Sequence, residues 1–327
     1  MFRHRIKLIA WLTVAIISAI AISNSNPINL TQAQTQPTVT IHRYEAPPMD
    51  AVNLYWIETD AGIVMVDAGR FLSQARYALD EILAVNKPIL GILITHPHTD
   101  HYGGLPIFAD AAVDNVPIYA SEVTYNDLKT DAQGFIAARN QLHGNDFPDK
   151  DAIPLPNRIV KTGDTIELGG LTFEVIDLPN NETITTTLYY LPQKNALFAG
   201  DFVVNKTIPF LGDGFSSNWL NQLRSLSSQI PSDTTIYHGH GEPETAEVLI
   251  PQQIEYIETV RSLVIDALKS DLGEAKALRD RKVTRIEQEQ IVSQMAKQYA
   301  DYETSLVLPN LRIANIEGVA RELQQTQ

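Results

Sequence analysis

The segment Thr95-His96-Pro97-His98-Thr99-Asp100-His101-Tyr102-Gly103-Gly104 places three imidazoles and a carboxylate within six residues, directly after the apolar run Pro88 to Thr95. Packing such groups at the end of a buried strand is costly unless something compensates for their desolvation. A divalent cation does so and also fixes their orientation. A loop leaving a strand can send His96 and His98 to one ion and turn Asp100 and His101 to a second. Ions about 3.5 to 4 Å apart can share a hydroxide. Asp100 is also a candidate to carry the proton, and Tyr102, beside the cluster, a candidate donor to a developing oxyanion.

Two further stretches bear the same kinds of side chain: Phe198-Ala199-Gly200-Asp201, and His238-Gly239-His240-Gly241. The sequence contains no cysteine, so thiolate ligands, disulfides and a cysteine nucleophile are excluded. Any metal is therefore held by imidazole and carboxylate, which leaves zinc, manganese and iron open.

These residues resemble the metallo-β-lactamase superfamily, whose signature His-x-His-x-Asp-His stands here as His96, His98, Asp100 and His101. The resemblance runs from about Asn53 to Gly241. It implies that Asp67, in Val66-Asp67-Ala68-Gly69, is the upstream structural aspartate, Asp201 the metal-bridging aspartate and His240 the last ligand. His238 is then structural or supports a ligand. The chain departs from the usual pattern where the family has Pro-Gly-His: it reads Leu178-Pro179-Asn180-Asn181-Glu182-Thr183. In the alkylsulfatase-like branch a Pro-x-x-Glu arrangement supplies a glutamate, and Glu182 stands at that offset. The other possibility is that Asn181 fills the histidine's place while Glu182 faces solvent. The implied metal set is His96, His98, Asp100, His101, Glu182, Asp201 and His240, holding two Zn2+ ions, with Mn2+ or Fe as alternatives.

Strands are expected at Val39 to Tyr44, Ala51 to Glu58, Gly62 to Val66, Pro88 to Thr95, Arg158 to Val160, Thr165 to Leu168, Leu171 to Ile176, Ile184 to Tyr190, Ala196 to Phe198 and Thr234 to Tyr237. Helical spacing is found at Leu72 to Val85, Gly103 to Ala109, Ser121 to Ala137, Pro243 to Leu268 and Glu287 to Tyr299. The polar stretch Arg139 to Asn157 lacks periodicity and reads as a surface loop, with His143 a possible substrate contact. Trp56, Tyr189 and Tyr190 fall on expected strands and read as packing residues, and the acidic run Glu242 to Glu247 as a solvated helix start. Two halves that each open with strands and then add helices predict an α+β fold, a four-layer αββα sandwich of two facing sheets with helices outside. The organisation is a signal segment over 1–33, a catalytic domain over 39–250, and a helical region over 251–327. That last region either caps the fold or offers a homodimer surface through Ile254, Ile257, Leu263 and Val264.

The chain starts with Arg3, Arg5 and Lys7, continues with the apolar run Leu8 to Ile22 and then turns polar, the order of a secretory signal. The run would span about 22 Å as a helix against about 30 Å of hydrocarbon, which favours a cleaved signal over a retained anchor. Small residues suit cleavage near Thr31-Gln32-Ala33 or Ala19-Ile20-Ala21, and no cysteine follows either for lipidation. A secreted or periplasmic protein without stable membrane insertion is expected. The formal charge of −14 falls to −17 once those three cations are removed, which disfavours nucleic acid and anionic membranes as partners and leaves a small-molecule substrate.

The resemblance implies hydrolysis of an ester, amide, lactone, phosphate or sulfate-ester bond by a metal-bridging hydroxide. A β-lactamase, a mono-iron thioesterase or dioxygenase of the same fold, and a non-catalytic metal-binding protein are the alternatives.

Overall fold

Alternation along the strands decides the layers. In a computed structural model, which describes residues 38–46, 52–112, 115–270, 282–304, 308 and 310–325, Tyr55, Ile57, Val64 and Val66 point to one face of a sheet and Leu54, Trp56, Ile63 and Met65 to the other. Both sets are buried, so the sheet is covered on both sides.

That first sheet consists of β1 (Thr40–Glu45), β2 (Asn53–Glu58), β3 (Ile63–Val66), β4 (Ile89–Leu93), β5 (Ile118–Ser121) and β6 (Arg158–Val160), side by side in chain order. The pairs β1–β2 and β2–β3 are antiparallel, whereas β3 to β6 run parallel. The second contains β7 (Thr165–Leu168), β8 (Leu171–Pro179), β9 (Thr185–Leu191), β10 (Ala196–Gly200), β11 (Thr235–His238) and β12 (Glu244–Thr245), in the order β12-β11-β10-β9-β8-β7, with β10–β11 its parallel pair.

The helices are α1 (Leu72–Ala84), α2 (Thr99–Tyr102), α3 (Leu105–Ala111), α4 (Glu122–Thr130), α5 (Phe135–His143), α6 (Ser216–Ser227), α7 (Ala246–Ser270), α8 (Arg285–Gln298) and α9 (Leu311–Gln325). Phe173, Val175, Tyr189 and Phe198 meet the inner side chains of the first sheet in the central core. The outer face of that sheet packs on α1 and α3 through Ala75, Ala78, Ile82 and Phe108. The outer face of the second sheet, with Leu188, Leu197 and Ile236, is covered by Trp219 of α6, Val260 of α7, Met295 of α8 and Val319 of α9. The αββα sandwich expected from the sequence is therefore the observed architecture.

Several local expectations need correction. The helix expected over Ser121 to Ala137 breaks in two, because Asp131 and Gly134 adopt left-handed conformations at φ 52° and 72°. The Asp131 carboxylate then accepts from the backbone N–H groups of Ile136 and Ala137, capping α5. The expected loop after Arg139 accordingly begins inside a helix, with short 3-10 turns at Gly144–Asp146 and Lys150–Ala152. Strands β5 and β12 were not anticipated. Of the residues considered for a dimer surface, Ile257 and Val264 are fully buried, and Ile254 and Leu263 pack against the same core. Trp56 and Tyr189 are core residues, as expected. The signal segment over 1–33 and its cleavage sites lie outside the described residues. No helix among the described residues is long and apolar enough to cross a membrane.

Candidate metal centre

The histidine-rich segment leaves β4 at the edge between the two sheets and winds into α2, and Asp67 organises it. Asp67 sits at φ 60° just after β3 and accepts the backbone N–H of Thr95 at 2.8 Å and the Thr95 hydroxyl at 2.9 Å. It also takes the Nδ1 proton of His101 at 2.8 Å. The Thr95 hydroxyl, having donated its proton to Asp67, accepts from His96 Nδ1 at 2.9 Å. One carboxylate thus fixes the ring of His101 directly and that of His96 through Thr95. Both rings then present Nε2, and both Nε2 atoms are buried without a hydrogen-bond partner.

The other strands bring the remaining groups. Asp201 follows β10, and His240 follows β11 on a turn tied to the first sheet. There Asn53 Nδ2 donates to the carbonyls of His238 and Gly241 at 2.9 and 2.7 Å, and the Tyr55 hydroxyl donates to that of His238 at 2.8 Å. Gly239 is required at this turn: a Cβ on it would lie 2.1 Å from Asp201 Oδ1 and 2.7 Å from His101 Cε1.

Two clusters result. Asp100, His101, Asp201 and His240 each offer one ligand atom, all within 4.8 Å of one another, and His96, His98 and Glu182 do the same. In the first, His101 Nε2 is 3.4 Å from Asp201 Oδ1 and His240 Nε2 is 3.2 Å from Asp201 Oδ2 and 3.3 Å from Asp100 Oδ2. In the second, Glu182 Oε1 is 3.2 Å from His98 Nδ1 and Oε2 is 3.8 Å from His96 Nε2. Besides the two Nε2 atoms, Glu182 Oε2 and Asp201 Oδ1 are buried without a hydrogen-bond partner. Leaving four such atoms unsatisfied would cost about 1–3 kcal/mol each, and cations at the two clusters would satisfy all four. The donor set fits divalent metal ions.

The electrostatics agree. Burial opposes charge on Asp201 most strongly, yet the His240 and His101 rings hold its carboxyl well below the usual range. Burial opposes protonation of those rings most strongly in turn, yet Asp201 and its neighbours hold both well above the ordinary imidazole range. The carboxylates draw positive charge into the site, which protons or metal ions can supply. Burial pushes Glu182 up to about 7, while its carboxylate overcomes the burial of His98 and raises that imidazole to about 9.

Glu182 therefore faces the imidazoles. Asn181 does not: its Oδ1 accepts from Thr186 at 2.7 Å, and its Nδ2 donates to the carbonyl of Leu178 at 2.7 Å. His238 is structural. Its Nε2 donates to the carbonyl of Glu242 at 3.1 Å, and burial, the largest influence, lowers it to about 4. Tyr102 is corrected as a candidate oxyanion donor, because its side chain lies within the core beneath the first sheet and its hydroxyl is inaccessible to solvent. His143 packs edge-on against Phe71 at 4.8 Å.

Three groups escaped the sequence reading. Arg70, nearly buried, lies 3.1 Å from Asp100 Oδ2 and donates to the Thr99 hydroxyl at 3.0 Å. It follows Asp67 by three residues, but nothing local marks it. Phe135 and Phe210 meet the His98 ring edge-on at 5.7 and 5.9 Å. Asp213, near enough to Glu182 to raise its carboxyl, has a buried Oδ2 with no hydrogen-bond partner.

The sequence profile of the Metallo-beta-lactamase superfamily matches residues 47–240, the span that holds every one of these ligand candidates. The chain belongs to the metallo-beta-lactamase superfamily. The linear primary-alkylsulfatase of a Pseudomonas species is 30% identical over 193 residues, covering 50% of this chain but only 28% of that enzyme. Metallo-beta-lactamase IND-1 from Chryseobacterium indologenes is 26% identical over 196 residues, covering 59% of this chain and 72% of that one. The solved metallo-beta-lactamase family protein TTHA1429 of Thermus thermophilus superposes with a TM-score of 0.59 at 20% identity, over 88% of this chain and 93% of that one, a likeness of fold. The site is that of a metallo-hydrolase of this metallo-beta-lactamase superfamily.

Proposed function

We propose that the protein is an exported, dinuclear metal-dependent hydrolase that cleaves an ester, amide, lactone or sulfate-ester bond of a small molecule. The observation that carries this reading is the pair of adjoining clusters in which His96 Nε2, His101 Nε2, Glu182 Oε2 and Asp201 Oδ1 are buried without a hydrogen-bond partner. His96, His98 and Glu182 would hold one ion, and Asp100, His101, Asp201 and His240 the other, with zinc the first candidate. Ions held there supply Lewis acidity for the acceptor oxygen of the scissile bond and bring water within reach of deprotonation near pH 7.

The protein's own contribution is positioning. His98 and His240, whose side chains are 15% and 21% exposed, are the most accessible ligand candidates, so a substrate enters past them. Asp67 orients His101 and His96, and Arg70 orients Asp100. Asp100 would act as cation ligand and proton carrier, and the guanidinium at 3.1 Å favours the first. Export rests on the basic, apolar and polar order of residues 1–33.

Sulfate-ester cleavage is favoured within this class by the 30% identity to an alkylsulfatase together with Glu182 facing His98. The test is turnover of p-nitrophenyl acetate, nitrocefin and an alkyl sulfate by metal-loaded protein, before and after chelation. Loss of turnover on chelation and its recovery with zinc are expected for at least one substrate. Full metal occupancy with no turnover of any would leave a non-catalytic metal protein.

A further inference from the structure

Phe210 lies on the connection between β10 and α6, and with Phe135 of α5 it walls His98, one of the two ligand candidates that a substrate meets first. Both phenylalanines are half-buried. Their rings leave an apolar surface beside the imidazole.

The far end of the chain holds this wall in place. Ile208 N donates to the carbonyl of Glu303 at 3.1 Å, and Glu303 N to that of Lys206 at 2.7 Å. Asn315 of α9 donates from Nδ2 to the carbonyl of Pro209 at 2.8 Å, and its Oδ1 accepts from Leu211 N at 2.7 Å. The Arg321 guanidinium donates to the carbonyl of Gly212, and Glu322 Oε1 accepts from Ser217 N at 2.8 Å. Gly318 permits the contact, because a Cβ there would lie 2.2 Å from the carbonyl oxygen of Leu211. Helix α9 lies wholly beyond residue 240, where the superfamily match ends.

Helix α9 packs on the core through Leu311, Ile316 and Val319. Here a buried asparagine spends both ends of its amide on the backbone of one segment, which fixes where that segment stands. We propose that Asn315, Gly318, Arg321 and Glu322 are positioning residues that set the 208–217 segment so that Phe210, with Phe135, forms a subsite for an apolar aryl or alkyl group of the substrate. The assignment rests on the hydrolase reading of the site, and it names which small molecules that site prefers.

The test uses the zinc-loaded full chain. Two ratios are measured, 4-phenylbutyrate against acetate: kcat/KM for the p-nitrophenyl esters, and affinity for the free carboxylates by calorimetry. An apolar pocket contact discriminates by about tenfold or more. The wild type should prefer the phenylbutyryl probe by that factor in both assays. Phe210→Ala and Arg321→Ala should each bring the ratios close to one. Arg321 is exposed, so its replacement should leave both the folded core and the metal content per chain unchanged. No preference in the wild type, or a preference that survives either substitution, overturns the proposal. Absence of ester turnover with metal bound would instead count against the hydrolase reading, and the calorimetric ratio would still decide the subsite.

Discussion

Glu182 Oε1 lies 3.2 Å from Nδ1 of His98, inside the protein and almost without exposure. The adjacent Asn181, one residue earlier, turns its amide to the Leu178 carbonyl and the Thr186 hydroxyl instead. A carboxylate therefore stands where the resemblance leads one to expect a third histidine, and it completes the His96 and His98 pair geometrically. Oxygen in place of nitrogen suits a divalent ion that accepts mixed donors.

Gly239 lies against the cluster of Asp100, His101, Asp201 and His240. Alanine there would put a methyl 2.1 Å from Asp201 Oδ1, with no positive φ to strain the backbone. Gly239→Ala should fold yet bind about one metal ion fewer per chain, with ester turnover lowered by about 10–100-fold, the range for disturbing the surroundings of metal ligands. Elemental analysis and kinetics on the same sample check this. Unchanged occupancy and turnover would count against the cluster.

Arg70 compensates Asp100 within a nearly buried pair. Arg70→Met leaves the carboxylate only its histidine neighbours, His240 at 3.3 Å among them, which costs up to about 3–5 kcal/mol in metal-free protein. A bound cation replaces the missing charge, so the deficit measured by denaturant unfolding should shrink when metal is added. Equal deficits with and without metal would contradict this.

His238 carries a pH signature. Its imidazole is lowered to about 4 in the folded protein, below the roughly 6.5 of an unfolded chain. The unfolded state therefore binds the extra proton between those values. The stability this neutral ring contributes is complete above about pH 6.5 and is lost as pH falls toward 4, by roughly 3 kcal/mol. His238→Gln keeps a donor for the Glu242 carbonyl without the titration. Urea unfolding at pH 7.5 and 4.5 should show a smaller acid loss in the variant, and equal losses would refute the assignment.

Much of this was legible because local patterns coincide with tertiary ones. Val64 and Met65 alternate faces as a half-turn period requires, and the crowding from His96 to His101 has no inexpensive apolar explanation. Strand β5 was missed because four residues next to Pro117 give little signal, and its burial comes from pairing with β4 and β6 on either side. The break at Asp131 depends on a left-handed turn and a cap that reaches five and six residues ahead. Tyr102 sits next to the ligands in sequence, but the first turn of α2 directs it into the core. Arg70, Phe135 and Phe210 acquire meaning only when distant segments meet at Asp100 and His98.

The central claim is that two clusters hold two ions and that Glu182 belongs to one of them. Metal content per chain should be measured by elemental analysis on wild type and Glu182→Ala, both purified without added metal. Two ions in the wild type, falling to about one in the variant with loss of ester turnover and an unchanged far-UV circular dichroism spectrum, is the predicted result. Two ions retained in Glu182→Ala would remove Glu182 from the site and contradict the account.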